Sequence, residues 1–186
     1  MGKIILILGG ARSGKSTHAL NLAKMQKKVA FIATCQGLDR EMRERILKHQ
    51  ESRPKHWRTF EEPRELTELL SRIGNSFDCI IIDCLTLLVS NLVLSGFKEE
   101  EVLVKIKDSL AQLRRKKAKV IIVSNEVGLG IVPANRLGRR FRDIAGKANQ
   151  CAAREADEVV FIASGIPLQL KNLPVGRRAE KNAKNK

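Results

Sequence analysis

Ile4-Ile5-Leu6-Ile7-Leu8-Gly9-Gly10-Ala11-Arg12-Ser13-Gly14-Lys15-Ser16 is the stretch on which the fold turns. Five aliphatic residues without polar alternation predict a strand covered on both faces. They run straight into Gly9-Gly10-Ala11-Arg12-Ser13-Gly14-Lys15-Ser16, which fits G-x-x-x-x-G-K-[ST], and helix-compatible sequence follows. Strand, glycine-rich loop and helix in that order form a phosphate-binding loop. The glycines let backbone N–H groups converge on phosphates, and the helix N-terminus adds its positive end. Lys15 reaches the outer phosphates, and Ser16 offers a hydroxyl to Mg²⁺. Arg12 brings a further cation to the loop, or forms a structural ion pair.

Other short β-branched or aliphatic runs recur at Val29 to Ile32, Cys79 to Ile82, Val120 to Val123 and Val159 to Ile162. Helical periodicity separates them, at Lys15 to Met25, Asp39 to Gln50, Pro63 to Ser71, Glu99 to Lys116 and Arg136 to Glu155. Strands alternating with helices predict a mainly parallel sheet flanked by helices: an α/β P-loop NTPase of RecA-like type, in one domain. The length of 186 residues suits one core. The domain is expected to span 1–176, and the basic segment 177–186, with two Arg, three Lys and one Glu, to be a solvated tail.

The apolar start is too short for a signal-peptide core or a membrane span, so a cytoplasmic protein is expected. The four cysteines include no C-x-x-C pair, and reduced thiols are the default. A net charge of +15 fits nucleic-acid binding, a polyanion pocket or plain solubility. Six Phe, one Trp and no Tyr leave few stacking platforms for single strands.

A second metal anchor is expected on another strand. Asp83 ends the buried run Ile80-Ile81-Ile82 and is the candidate for Mg²⁺ or nucleotide contact, against the alternative of a turn-forming Asp. Glu126 follows Val120 to Val123 in the same way, at the edge where open α/β sheets place ligands. These features imply a nucleoside triphosphate and leave the reaction open.

Longer segments narrow it. Phe31-Ile-Ala-Thr34, Glu41-Met42, Arg45-Ile46 with His49, Arg53-Pro54 with Trp57 and Asp83-Cys-Leu-Thr86 follow the loop in order. Asn91-Leu92, Asn125-Glu-Val-Gly128, Gly130-Ile-Val-Pro133, Phe141-Arg-Asp143, Ala145-Gly146, Asn149-Gln150, Ala156-Asp157 and Gly165-Ile-Pro167 come after them. Together they resemble the bifunctional adenosylcobinamide kinase / adenosylcobinamide-phosphate guanylyltransferase family of cobalamin biosynthesis, from Lys3 to Lys171. The resemblance implies phosphorylation of the aminopropanol hydroxyl of adenosylcobinamide by ATP or GTP. Transfer of GMP from GTP onto that phosphate follows, giving adenosylcobinamide-GDP through a guanylylated histidine. The position matching the family's Arg-Ile-x-x-His pattern is His49.

A neutral imidazole suits attack on the α-phosphorus, since an unperturbed pKa of about 6.5 leaves most rings uncharged at pH 7. Lys48 precedes it and would favour the neutral ring if the two side chains approach. Spacing alone would allow another role, because Met42, Ile46 and His49 share a helix face. His18 and His56 do not occupy the matching position. The resemblance further implies nucleotide contacts from Ala33, Thr34 and Cys35, from Gln50, Glu51, Ser52 and Arg53, and from Glu61 and Asp83. The helix carrying His49 is expected to stop near Arg53-Pro54 and to pivot there. Family trimers imply a homotrimer with active sites near subunit contacts. Leu88 and Gly138 stand where the family has Trp and Ala. The competing readings are a RecA-like nucleic-acid ATPase, a simple P-loop kinase with a structural His49, and a nucleotide-binding regulator.

Overall fold

The computed structural model describes residues 2–37, 40–51 and 53–172, without the side chains of 41, 42, 45, 48 and 49. The expected tail at 177–186 and Ser52 lie outside the described residues. Seven strands form one sheet in the order β3-β2-β4-β5-β1-β6-β7. They are β1 (Ile4–Gly9), β2 (Val29–Ala33), β3 (Arg58–Glu61), β4 (Cys79–Asp83), β5 (Lys119–Asn125), β6 (Glu158–Ala163) and β7 (Ile166–Asn172). All neighbouring pairs are parallel except β6 with β7. The helices are α1 (Lys15–Ala23), α2 (Arg40–Glu51), α3 (Leu66–Ile73), α4 (Leu85–Leu94), α5 (Glu99–Arg115) and α6 (Arg136–Glu155).

Every predicted strand and helix forms, within a few residues of its expected ends. Three elements were not read from the sequence: β3, α4 and β7. The helix α4 is apolar almost all round and buries seven of its ten residues, so it has no polar stripe to set a helical period. The edge strands β3 and β7 are largely exposed and lack the buried run of an interior strand.

β1, β2 and β4 carry unbroken aliphatic runs because both faces are covered. One face packs α3, α4, α5 and α6 against Ile4, Leu6, Ile80, Ile82 and Ile122. The other packs α1 against Ile5, Ile7, Ile81, Ile121 and Val123. Two lysines hold helix ends: Lys116 Nζ donates to Leu70 O (2.6 Å) and Gly74 O (2.7 Å), where α3 stops. Lys171 Nζ, from β7, donates to Ala153 O (2.8 Å) and Ala156 O (2.6 Å) at the end of α6. Both satisfy carbonyls that a helix leaves without partners.

Candidate active site

Parallel register brings the carboxyl ends of the strands to one edge, where an α/β sheet binds ligands. Gly9 is paired with Asn125 of β5 and Ile162 of β6, so the phosphate loop rises from the middle of that edge. A Cβ on Gly9 would lie 2.5 Å from Ile162 O and 2.7 Å from Ser13 Oγ. Gly14 sits at φ 95°, ψ 7° and starts α1 from a left-handed conformation that a side chain would strain. Gly10, Ala11 and Arg12 are exposed, with Arg12 also left-handed at φ 56°. Ser13 and Lys15 are buried, and Ser16 is half-buried in the first turn of α1. The eight residues therefore run from the carboxyl end of β1 into the first turn of α1.

Lys15 Nζ donates to Gly10 O (2.5 Å) and lies 3.4 Å from Ser13 Oγ, so the ammonium is folded back across its own loop. Burial lowers its pKa, and Cys84 and Asp83 pull it back up. Asp83 is half-buried at the end of β4, level with Ala33 of β2. Ala33 is in turn level with Glu61, at the exposed end of β3. The register thus lines up Glu61, Ala33 and Asp83, which lie far apart in the chain.

Arg53 joins this row. Its guanidinium lies 3.7 Å from the centre of the Phe31 ring, and Nη1 is 3.4 Å from Thr59 Oγ1. Its buried Nε has no hydrogen-bond partner among the described residues. Burial lowers the Arg53 pKa, opposed by the charges of Asp83 and Glu61. Gln50 Nε2 reaches Glu61 Oε1 at 3.3 Å, so the end of α2 is tied to the same strand end. Glu51, the last residue of α2, is exposed. His49 belongs to α2, as expected, while its imidazole and Ser52 fall outside what is described. His56 is exposed and His18 is half-buried on α1.

Thr34 has an internal role. It has no exposed surface; its Oγ1 donates to Cys84 O (2.7 Å) and accepts from Cys84 N–H (2.8 Å). Its N–H donates to Asp83 O (3.1 Å), and its carbonyl accepts from Asn91 Nδ2 (2.8 Å). Thr34 thereby holds the ends of β2 and β4 at a fixed separation. Cys35, one residue on, is half-buried. Burial pushes the Cys84 thiol up to about 12, which keeps it protonated and unreactive at neutral pH.

Two supports were not foreseen. Ser124 Oγ donates to Asn149 Oδ1 (2.6 Å) and meets Thr86 Oγ1 (2.9 Å), which accepts from Asn125 N–H (2.6 Å). This buried chain stiffens the end of β5 from α4 and α6. The turn Ser164-Gly165, both at positive φ, joins β6 to β7, and Gly165 N–H donates to Ser13 O (2.9 Å). A two-residue Ser-Gly link between apolar runs was a usable hairpin signal. The side-chain network had none. Glu126 N–H donates to Gly9 O (3.0 Å), so the residue singled out after β5 is fastened to the loop through its backbone.

Fold and site define a P-loop NTPase of RecA-like type. Among solved structures, the chain matches the RadB recombinase with a TM-score of 0.51 at 15% identity, covering 86% of this chain and 74% of that one. It matches an ATPase from the type III secretion system of pathogenic bacteria with a TM-score of 0.58 at 11% identity, covering 87% of this chain and 51% of that one. The sequence profile of the family described as cobinamide kinase / cobinamide phosphate guanyltransferase matches residues 5–170, and the chain belongs to that family.

It is 43% identical over 180 residues to the bifunctional adenosylcobalamin biosynthesis protein CobU of Escherichia coli (strain K12), covering 90% of this chain and 99% of that protein. The CobU protein of Salmonella typhimurium is 45% identical over the same shares. The corresponding protein CobP of Pseudomonas aeruginosa is 42% identical, covering 91% of this chain and 98% of that protein. No helix among the described residues is long and apolar enough to cross a membrane.

Proposed function

We propose that this chain phosphorylates adenosylcobinamide and then guanylylates the product in two half-reactions on one phosphate loop. The observation that carries this is the row Glu61, Ala33, Asp83 beside the loop, with the end of α2 tied into it through Gln50 and Arg53. The helix assigned the nucleophile thus ends against the nucleotide edge.

In the kinase step the aminopropanol oxygen attacks the γ-phosphorus of ATP or GTP. The bond to the β–γ bridging oxygen breaks and the nucleoside diphosphate leaves. In the transferase step a ring nitrogen of His49 attacks the α-phosphorus of GTP, and pyrophosphate leaves. A phosphate oxygen of adenosylcobinamide phosphate then displaces the imidazole, giving adenosylcobinamide-GDP. Splitting the transfer in this way replaces one hard step by two easier ones.

Residues 9–16 cradle the triphosphate, with Lys15 swinging from its own loop onto the outer phosphates. Glu61 accepts guanine N–H donors, and the unpartnered Nε of Arg53 donates to the nucleotide. Ala33, Cys35, Gln50 and Glu51 border the same space, Thr34 acts by holding the strand ends, and Ser52 is assigned to the nucleotide on the family match alone. Ser16 and Asp83 are hard oxygen donors at the loop's helix and the neighbouring strand end, a set that fits Mg²⁺. Bound there with the nucleotide, Mg²⁺ neutralises triphosphate charge. The enzyme works in the cytoplasm as a homotrimer.

The test is incubation of the protein and a His49→Ala variant with α-labelled and, separately, γ-labelled GTP, followed by denaturation and intact mass. Acid-labile GMP on the unaltered protein alone is the expected result. No adduct on either leaves a simple P-loop kinase or a RecA-like ATPase, and turnover of the γ-label with adenosylcobinamide separates those two.

A further inference from the structure

The loop between β5 and α6 turns apolar side chains into solvent beside the phosphate cradle. Leu129 is 78% exposed, Ile131 97% and Val132 58%. Hydration of such a cluster is unfavourable, and contiguous exposed apolar groups mark binding surfaces.

The backbone beneath them is held at both ends. Glu126 N–H donates to Gly9 O (3.0 Å), and Gly128 N–H donates to Glu126 Oε1 (2.9 Å). Arg139 Nη1 donates to Pro133 O (3.1 Å) and Ala134 O (2.6 Å), and Asn135 Oδ1 caps α6 by accepting from Gly138 N–H (2.6 Å). The apolar residues lie between these anchors.

The first anchor falls on the opening residue of the phosphate loop, so the patch borders the cradle. Across the cradle, Ile166 is 63% exposed beside Gly165, which bonds Ser13. Arg136, Arg139, Arg140 and Arg142 follow the patch, and no acidic residue lies between Glu126 and Asp143. The patch is therefore apolar at its centre with Arg136 and Arg139 at the start of α6 beside it, whereas Arg140 Nη2 donates to Phe97 O (2.7 Å) and Arg142 Nε lies 3.8 Å from Asp143 Oδ1.

We propose that Leu129, Ile131 and Val132 form the docking surface for the corrinoid substrate, a bulky amphipathic macrocycle whose arm carries the reacting hydroxyl or phosphate. The macrocycle rests on the apolar tip, the arm enters the cradle, and Arg136 and Arg139 complement the anionic phosphate of adenosylcobinamide phosphate. In a cyclic trimer this patch would meet a different surface of the next subunit, and native mass separates that occupant from the corrinoid. The inference rests on the corrinoid being the acceptor in both steps.

Ile131→Asp and the milder Ile131→Ser change a side chain outside the core, so the fold tolerates both. The readouts are KM for adenosylcobinamide in phosphorylation, KM for adenosylcobinamide phosphate in guanylyl transfer, adduct yield from α-labelled GTP without corrinoid, and native mass. Ile131→Asp is expected to raise both corrinoid KM values at least tenfold and Ile131→Ser by less, with adduct yield and native mass unchanged. Unmoved corrinoid KM values in fully active variants overturn the docking surface and leave the proposed activity standing. A smaller native mass also overturns it, making the patch a contact between copies. An unaltered protein that turns over neither corrinoid overturns the activity and the docking surface together.

Discussion

Replacing Thr34 by Val tests whether the strand ends that carry the site are held by one hydroxyl. Valine keeps the shape of threonine, so no cavity opens, and the change isolates polar bonds inside a residue with no exposed surface. Two bonds go: the one Thr34 Oγ1 gives to Cys84 O (2.7 Å) and the one it takes from Cys84 N–H (2.8 Å). They are not equivalent. Cys84 O still accepts from Leu88 N–H at 3.2 Å, so it loses one of two donors.

Cys84 N–H is left buried with no partner among those described, which costs about 1–3 kcal/mol, and the weakened acceptor adds about 0.5–1.5 kcal/mol. The expected loss is about 1.5–4.5 kcal/mol, or roughly 3–18 °C in Tm for a domain of this size. Urea denaturation at matched protein concentration measures it, with Thr34→Ser as control. Serine keeps the hydroxyl and gives up one methyl, about 0.8 kcal/mol of burial. A Thr34→Val variant within 0.5 kcal/mol of Thr34→Ser, on the order of measurement error, would refute the reasoning.

Gly9→Ala forces a Cβ to within 2.5 Å of the Ile162 carbonyl, a backbone atom that cannot swing aside. Both half-reactions are expected to fall at least a hundredfold, which steady-state kinetics and labelled-GTP binding measure. Lys116→Met removes the ammonium that holds the carboxyl end of α3. It is expected to cost about 1–3 kcal/mol by urea denaturation near pH 7. Burial lowers the Lys116 pKa, so between that lowered value and the ordinary 10.5 the unfolded chain binds more protons. Lys116 therefore makes stability rise with pH towards 10.5. The Met variant should show a flatter rise over that range, and an unchanged slope would count against the buried ammonium.

The sequence was most legible where one stretch carries the whole signal. Gly9 to Ser16 is such a stretch, and Asp83 was visible as the first charge after an unbroken aliphatic run. What stayed hidden depends on register. Glu61 lies level with Asp83 only because both pair with Ala33, and no local pattern reports that alignment. Thr34 read as a nucleotide contact, yet its hydroxyl is bound to a residue 50 positions away. The helix α4 escaped notice because burial on nearly all sides erases the period by which helices are recognised. The cysteines gave little warning that Cys84 would sit at a strand-to-helix junction with its thiol inert.

The bond from Gly165 to Ser13 has a bearing on how the protein is made. The cradle opens at the ninth residue, but its brace arrives about 150 residues later, on the turn between the last two strands described. Contacts of such separation form late, after the loop closure they require. During synthesis the nucleotide motif therefore emerges well before the turn that completes its cradle. Competence to grip a triphosphate should appear only once the β6–β7 hairpin has been synthesised and docked, so these two strands govern when the phosphate loop begins to work.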